Sequence, residues 1–346
     1  MTRLRRIAIF YARGSRALTF VQDEIRYLSV NTGLGGSIPA PPTTVLRRRF
    51  GDCKDKSFLA AHLLRRLGIP ARPVLVSTGL RHTLQTLLPM PIFDHAVVEY
   101  EIDGERRWAD TTHAQQGGGA LKLAVPDFRR GLPVGHDVTD LENQPPPPET
   151  HDRYELHETF FVDTAHGVST LRAVVTARGH DADALRRRFA RDGAESVARE
   201  RLEHYRGAFP HFRRVGQIEW RDDRERNEFL VGETYDAERL LSPGTTPETG
   251  VFTFPAYLIR AHLAVPNVAK RRQPLAVPHP CNVEHRIEIE SPAITRDEGH
   301  GGRSVGPPFQ LTYATTQQPG RYSVRYSLRF TTDTVPPDKF ASYQKK

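Results

Sequence analysis

The feature that most constrains this fold is a short stretch in which a helix start, a cysteine and a helix stop follow one another. Asp52 is a favourable N-cap residue, and the apolar residues after it return at helical spacing until Gly68 and Pro70 end the pattern. Cys53 therefore lies in the first turn of a predicted buried helix. The positive end of the helix dipole, unpaired backbone N–H groups and the nearby Lys54 and Lys56 all favour its thiolate. The pattern indicates that Cys53 is an activated nucleophile. The alternative is that Cys53 is only a small residue buried at the end of a helix.

A predicted β-hairpin further along the chain brings a histidine and an aspartate together. Asp103-Gly104 is the strongest short hairpin signal, and it separates two runs that read as strands. With a two-residue turn, His95 and Asp110 lie on the same face as diagonal neighbours, roughly 7–8 Å apart at the backbone. A three-residue loop would place them on opposite faces, so the register is a testable prediction.

A cysteine at a helix start, with a histidine and an aspartate on a neighbouring sheet face, is the Cys-His-Asp arrangement of thiol enzymes. In it, His95 takes or shares the thiol proton, while Asp110 fixes the imidazole tautomer and stabilises the imidazolium. His113 is the one alternative base, but strand alternation predicts that it points to the opposite face. Asp52 is a candidate for the wall of the pocket. Trp108 shares the predicted face of Asp110, where it either shields the site from water or is an ordinary core residue.

These motifs closely resemble the core of the bacterial transglutaminase-like superfamily. The resemblance extends over about residues 1–125 and implies a papain-like α+β core in which Cys53, His95 and Asp110 form the triad. The family is often protease-like in bacteria, which favours a hydrolase. Its members commonly carry a preceding β-rich domain and are exported, so the resemblance implies the periplasm or cell envelope if an N-terminal part is missing. The matching stretches are 20–27, 51–56, 67–72, 94–96 and 108–112.

The N-terminal segment is predicted to form two helices, at 3–13 and 15–29, broken near Gly14. The pattern of this segment predicts an amphipathic helix rather than a signal peptide. Gln22 is a polar residue within the second helix. Because acyl-transfer enzymes need donors aimed at a developing oxyanion, Gln22 is the candidate side-chain donor, with a surface or structural hydrogen bond as the alternative.

Composition narrows the possible partners. Lysine and arginine number 49 against 41 acidic residues, which gives a formal net charge of +8, but the basic residues are spread along the chain. Neither an RNA motif nor a zinc-finger spacing occurs, so a mixed, solvated surface without a nucleic-acid partner is expected, and a basic nucleic-acid binder is the weaker alternative. No apolar run approaches the length of a membrane span. Two cysteines, Cys53 and Cys281, do not make a disulfide scaffold, and His279 and Cys281 lack a partner pair at zinc spacing, so neither a metal nor a cofactor is expected.

The chain is long enough for two domains, and a proline run at 145–148 marks the boundary between them. We predict a core at 1–125, a linker at 126–150 and a β-rich α+β domain, sandwich-like, at 151–346. The connection at 79–91 is predicted to form a wall of the substrate cleft. One charged helix is predicted at 181–206. Strands are predicted at 153–162, 168–177, 215–220, 227–235, 283–289 and 322–332.

The sequence thus indicates an α+β cysteine enzyme that acts on amide or peptide bonds of a protein or peptide substrate through a thioester. Hydrolysis makes the smaller demand on the site and is preferred to amine transfer. The alternatives are protein crosslinking of the transglutaminase type and a non-catalytic binding or scaffold module. The sequence predicts no oligomeric state.

Overall fold

The structure, a computed structural model, divides the chain into two compact units of α+β architecture. One unit comprises Met1–Thr150 with Asp223–Asn227, and the other comprises His151–Asp222 with Glu228–Lys346. The division at Thr150 falls at the end of the predicted linker. The residues described are 3–29, 36–80, 93–145, 152–163, 168–237, 256–263, 266, 268, 270–279, 281–292, 294, 301–306 and 308–344.

The first unit contains three helices and seven strands among its described residues. They are α1 (Arg3–Glu24), β1 (Arg26–Tyr27), α2 (Pro42–Arg48), β2 (Phe50–Gly51), α3 (Cys53–Arg66), β3 (Ala71–Val76), β4 (His95–Ile102), β5 (Glu105–Ala109), β6 (Arg130–Pro133) and β7 (Glu142–Asn143).

Five of these strands form an antiparallel sheet in the order β5-β4-β3-β6-β7. Helix α3 packs Leu59 and Leu64 against Val98 and Tyr100 of β4 in the main core, to which α1 also contributes. A second buried cluster, made of Val74, Val76, Val97, Trp108 and Phe128, contains side chains from the opposite face of the strands. The sheet is therefore covered by apolar side chains on both faces.

The β4–β5 hairpin has the register that the sequence predicted. Ile102 pairs with Glu105, and pairing continues to Val98 and Ala109. Asp103 and Gly104 have φ values of 56° and 80°, so both turn residues are left-handed, as a two-residue type I′ turn requires. The prediction is confirmed, and Asp110 follows directly after the last paired residue.

The predicted break between two N-terminal helices is wrong, because α1 continues through Gly14. A Cβ atom at this position would lie 3.1 Å from the Ile69 side chain. The glycine therefore allows close packing against a neighbouring segment and does not end the helix.

The predicted linker at 126–150 also differs from the structure. Gly131 of β6 pairs with Val76 of β3, and β7 pairs with β6, so the first part of this segment belongs to the core sheet. These strands have only four and two residues, which is too short for an alternating pattern to be recognised.

The second unit is β-rich, as predicted. Its described elements are β8 (Arg153–Asp163), β9 (Val168–Arg178), α4 (His180–Asp192), α5 (Ala194–Arg206), β10 (Arg213–Asp223), β11 (Glu228–Asp236), α6 (Tyr257–His262), β12 (Leu275–Ala276), β13 (Asn282–Glu290), β14 (Gly301–Gly306), β15 (Phe309–Gln318), β16 (Arg321–Phe330), β17 (Thr334–Val335) and α7 (Phe340–Gln344).

Eight strands join in one sheet in the order β10-β11-β9-β8-β13-β16-β15-β14, with β8 and β13 parallel near its centre. The single helix predicted at 181–206 is two helices, because Gly193 has a φ of 77° and separates α4 from α5. Helix α4 buries Leu185 and Phe189, and α5 buries Val197, in a cluster that also contains Val175 of β9. Within the part of the chain that is described, no helix has the length and apolar character needed to cross a bilayer.

Candidate active site

Cys53 is the first residue of α3, and its position is set by a capping box. The Asp52 carboxylate accepts a hydrogen bond from the backbone N–H of Asp55 at 3.1 Å, and the Asp55 carboxylate accepts one from the N–H of Asp52 at 3.3 Å. The predicted N-cap is therefore confirmed. Among the described residues, no acceptor is found for the backbone N–H groups of Cys53 and Lys54. The half-buried thiol thus lies beside two open donors at the positive end of a helix.

Asp52 is buried and has a structural role. Its carboxylate is occupied by the Asp55 N–H and by the ammonium of Lys54, and the whole residue is 4% exposed. The structure therefore does not support Asp52 as a pocket wall. Its side chain is used to start the helix that carries Cys53.

His95 and Asp110 are joined by a hydrogen bond. His95 Nε2 lies 2.8 Å from Asp110 Oδ2. The other carboxylate oxygen of Asp110 accepts the backbone N–H of Thr112 at 2.9 Å and its hydroxyl at 2.7 Å. Because both oxygens have donors, the carboxylate is held in one orientation, with one oxygen directed at the imidazole.

The electrostatics of this pair favour an imidazolium next to an ionised carboxylate. Burial alone would lower the pKa of His95, but its hydrogen bonds to Asp110 and Cys53, together with their charges, raise it to about 10. Burial alone would raise the pKa of Asp110, but the hydrogen bond and charge of His95 lower it to about 2. The imidazole of His95 thus interacts with two groups from separate segments, the Asp110 carboxylate and the Cys53 thiol.

Gln22 lies near this group but differs from its predicted role. Its side-chain nitrogen donates to the backbone oxygen of Asp110 at 3.0 Å and to Oε1 of Gln116 at 2.7 Å. The Gln116 nitrogen in turn donates to the oxygen of Ala124 at 2.7 Å. Since both amide hydrogens of Gln22 are used within the protein, the structure does not support an oxyanion donor. It supports the alternative, a buried structural hydrogen bond.

Trp108 is a core residue. It is 4% exposed, and its indole N–H donates to Glu99 at 2.9 Å. The ring that faces the imidazole is Phe128, whose centroid lies 6.0 Å from that of His95. Phe128 and Trp108 belong to the same buried cluster, so Trp108 packs in the core with the residue whose ring lies next to His95. Phe128 was missed because it lies in the segment predicted as linker.

Lys56, which the sequence placed among the cations that favour the Cys53 thiolate, has a structural role. It is 1% exposed, and its ammonium donates to the backbone oxygens of Gln22, at 3.3 Å, and of Ile25. Burial lowers its pKa to about 8, while the charges of Asp110 and Asp23 act in the opposite direction. Lys56 therefore ties the helix of the cysteine to the C-terminal end of α1.

His113 lies closer to the site than predicted. Its Nε2 atom is 3.7 Å from Oδ2 of Asp110, the oxygen that also contacts His95. Strand pairing ends at Ala109, so the alternation of faces does not extend to His113, and the prediction that it points away is wrong. The connection predicted as a cleft wall, 79–91, lies outside the described residues from 81 onward.

The fold and the site define an α+β unit of the papain-like type, in which a helix N-terminus presents a cysteine to a histidine–aspartate pair. Residues 10–111 match the transglutaminase-like superfamily, so this part of the chain is a transglutaminase-like core. That match supports a place among the papain-like cysteine enzymes.

Two solved structures are similar to this chain at low identity. A proposed protease from Parabacteroides distasonis is 12% identical, with a TM-score of 0.45, over 98% of this chain and 54% of that chain. Arylamine N-acetyltransferase from M. tuberculosis is 14% identical, with a TM-score of 0.24, over 54% of this chain and 86% of that chain. This chain therefore spans about half the length of the first protein. No curated protein matches it.

Proposed function

We propose that this protein is a cysteine enzyme that hydrolyses amide or peptide bonds through a thioester on Cys53. The observation that carries the proposal is the imidazole of His95, which is hydrogen-bonded to Asp110 and whose pKa is raised by its interactions with Asp110 and Cys53. The thiolate is the form of a cysteine that attacks carbonyl carbon, and a neighbouring imidazolium favours that form.

The proposed reaction begins when the Cys53 sulfur forms a bond to the substrate carbonyl carbon, which places a negative charge on its oxygen. The backbone N–H groups of Cys53 and Lys54 are the donors that we assign to this oxyanion. His95 then gives its proton to the nitrogen of the scissile bond, the C–N bond breaks, and the amine leaves. A thioester on Cys53 and a neutral His95 remain.

Water completes the proposed cycle. Neutral His95 removes a proton from a water molecule whose oxygen attacks the thioester carbonyl. The C–S bond then breaks, and the carboxylic acid and the Cys53–His95 ion pair are regenerated. Asp110 stabilises the imidazolium at the stages where His95 carries the proton. If a primary amine replaced water, the same thioester would give the amine-transfer reaction of a transglutaminase.

Labelling with a thiol-reactive activity probe tests the nucleophile, and the chain supplies its own matched control. It contains two cysteines, and burial raises the pKa of the Cys281 thiol to about 12, which disfavours its thiolate. We expect the probe to label wild-type protein and Cys281→Ala equally and to leave Cys53→Ala unlabelled. Equal labelling of Cys53→Ala and wild type would contradict the assignment.

A second experiment decides between the acceptors. The protein is incubated with a peptide library in water enriched in heavy oxygen, with and without an added primary amine, and products are read by mass. We expect new carboxyl ends that carry the heavy isotope, in wild type but not in Cys53→Ala. Products joined to the amine would indicate a transglutaminase. Reversible peptide binding without any product would favour a non-catalytic binding module.

A further inference from the structure

The second unit contains a surface-connected cavity that the proposed hydrolysis does not use. It has a volume of about 200 Å³. Its inner wall includes the buried residues Phe160 and Tyr205, while His204, at its edge, is exposed. A small molecule therefore has both a space and a way in from solvent.

Aromatic rings form much of the cavity wall. The rings of Phe160 and Phe209 lie edge to face at 6.3 Å, and those of Tyr205 and Tyr257 lie edge to face at 6.1 Å. The ring of His204 lies 4.3 Å from that of Tyr257. Because neighbouring rings are inclined to one another, their faces and edges point in several directions around one space.

A buried carboxylate belongs to the same wall. Glu158 is 2% exposed and accepts the hydroxyls of Tyr205 at 2.6 Å and Tyr257 at 3.0 Å. Its other oxygen lies 2.7 Å from Nε2 of His285, which is fully buried. Burying an ionisable network in an aromatic core costs more desolvation free energy than burying apolar side chains of similar volume. The stability of the fold alone therefore does not explain why Glu158 and its partners lie here.

The charged groups of the cavity wall are few. Its described lining contains neither lysine nor arginine, and the nearby Arg201 is paired with Glu233. Burial, and next the charge of Glu158, raise the pKa of Tyr205 and of Tyr257, so both hydroxyls stay protonated and donate. Partial desolvation of its ring also lowers the pKa of His204, which favours the neutral imidazole near pH 7.

We propose that this cavity binds a small organic cation, an alkylammonium or quaternary ammonium group, against its aromatic walls and the carboxylate of Glu158. Ring faces attract such cations through their quadrupole, and aromatic enclosures with a nearby carboxylate are suited to ammonium groups that keep little water. A volume of about 200 Å³ admits a group of this size. The site is independent of Cys53 and of the proposed hydrolysis.

Two ligands of equal shape provide the test. Choline and its neutral isostere 3,3-dimethylbutan-1-ol are titrated separately into the full chain, and binding is followed by calorimetry and by the NMR signals of the aromatic rings. We expect saturable choline binding, at least about tenfold tighter than that of the alcohol. Equal affinity would overturn the proposal in favour of a neutral apolar ligand, and failure to bind choline at tens of millimolar would overturn it outright.

Variants locate the site. Phe209→Leu removes one half-buried ring and should weaken choline binding at least fivefold, while Trp220→Leu, which removes an exposed ring outside the cavity lining, should leave binding unchanged. Glu158→Gln should weaken choline binding without weakening that of the alcohol. If Glu158→Gln does not fold, the comparison of choline with the alcohol and the effect of Phe209→Leu still test whether the cavity binds the cation. An equal effect of Phe209→Leu and Trp220→Leu would contradict the proposed site.

Discussion

The side-chain amide of Gln22 donates a hydrogen bond to the backbone oxygen of Asp110 at 3.0 Å, across 88 positions of sequence. This contact links the last turns of α1 to the residue that holds His95. The position of the proposed catalytic carboxylate therefore depends on a buried amide network as well as on the hairpin that precedes it.

Replacement of Gln22 by leucine should lower the free energy of unfolding and have only a small effect on kcat. It leaves buried acceptors without donors, so we expect the free energy of unfolding to fall by about 1–3 kcal/mol and kcat to fall less than about tenfold. Urea denaturation and hydrolysis assays measure the two quantities. Gln116→Leu, which removes the partner of Gln22, should give a similar loss of stability. A loss of about 100-fold or more in kcat at unchanged stability would restore Gln22 as an oxyanion donor.

Replacement of Asp110 by asparagine should leave the fold intact and reduce hydrolysis. Oδ1 can still accept from Thr112, but an amide in place of Oδ2 cannot accept the imidazole N–H. We expect kcat to fall by about 10²–10⁴-fold and the pKa of His95 to move down, as read by NMR titration of its ring. The control is Asp94→Asn, an exposed carboxylate bonded to Thr78. If the two variants are equally active, Asp110 has no catalytic role.

The stability of the His95–Asp110 pair should depend on pH in a defined direction. The pKa of His95 is raised from 6.5 to about 10, so above pH 6.5 the unfolded chain loses a proton that the folded chain keeps. The contribution of His95 is therefore complete below pH 6.5 and is lost as pH rises through about 10. The pKa of Asp110 is lowered from 3.8 to about 2, so its contribution is present above pH 3.8 and is lost as pH falls through about 2.

This prediction is measured by unfolding in urea between pH 6.5 and 10 for wild type and His95→Gln. The advantage of wild type should shrink by on the order of 4 kcal/mol over that range. Parallel stability curves would show that the imidazole is not held as its cation.

Lys56 should act in the opposite direction with pH. Because burial lowers its pKa from 10.5 to about 8, the folded chain releases this proton before the unfolded chain does, and stability rises between pH 8 and 10.5. Lys56→Met should cost about 1–3 kcal/mol at pH 7, because the backbone oxygens of Gln22 and Ile25 lose their donor. The difference in free energy of unfolding between Lys56→Met and wild type should widen as pH rises. Lys122 is exposed, so Lys122→Met should have the same pH dependence as wild type. A constant deficit would mean that the lysine is not desolvated as described.

Gly131 in β6 should not tolerate a side chain. A Cβ atom there would lie 2.6 Å from Val74, 2.9 Å from the backbone oxygen of Leu75 and 2.9 Å from the Trp108 ring. The backbone oxygen cannot move aside without disturbing β3, so Gly131→Ala should lower the free energy of unfolding by about 1–3 kcal/mol. Gly79→Ala is the matched control, because nothing lies within 4 Å of the position that its methyl group would occupy. Equal thermal stability of both variants would contradict the close packing of β6.

Local signals were sufficient for the parts of the site that lie next to one another in the chain. The N-cap at Asp52 placed Cys53 at the start of α3, and the Asp103-Gly104 turn set the register that puts His95 and Asp110 on one face. Both depend on backbone geometry within a few residues, which a sequence pattern expresses directly. The pattern failed at His113, where the strand had already ended.

What the sequence by itself determined is therefore the start of the cysteine helix, the hairpin and the α+β class. Only the tertiary structure decided that Gln22 is a structural donor, that Phe128 covers the imidazole and that Lys56 joins two helices. Capping and turn preferences are energies of neighbouring residues, and they appear in any short window of the chain. The partners of a buried polar or aromatic side chain come from distant segments that meet only after the core has packed, so a short window contains no trace of them.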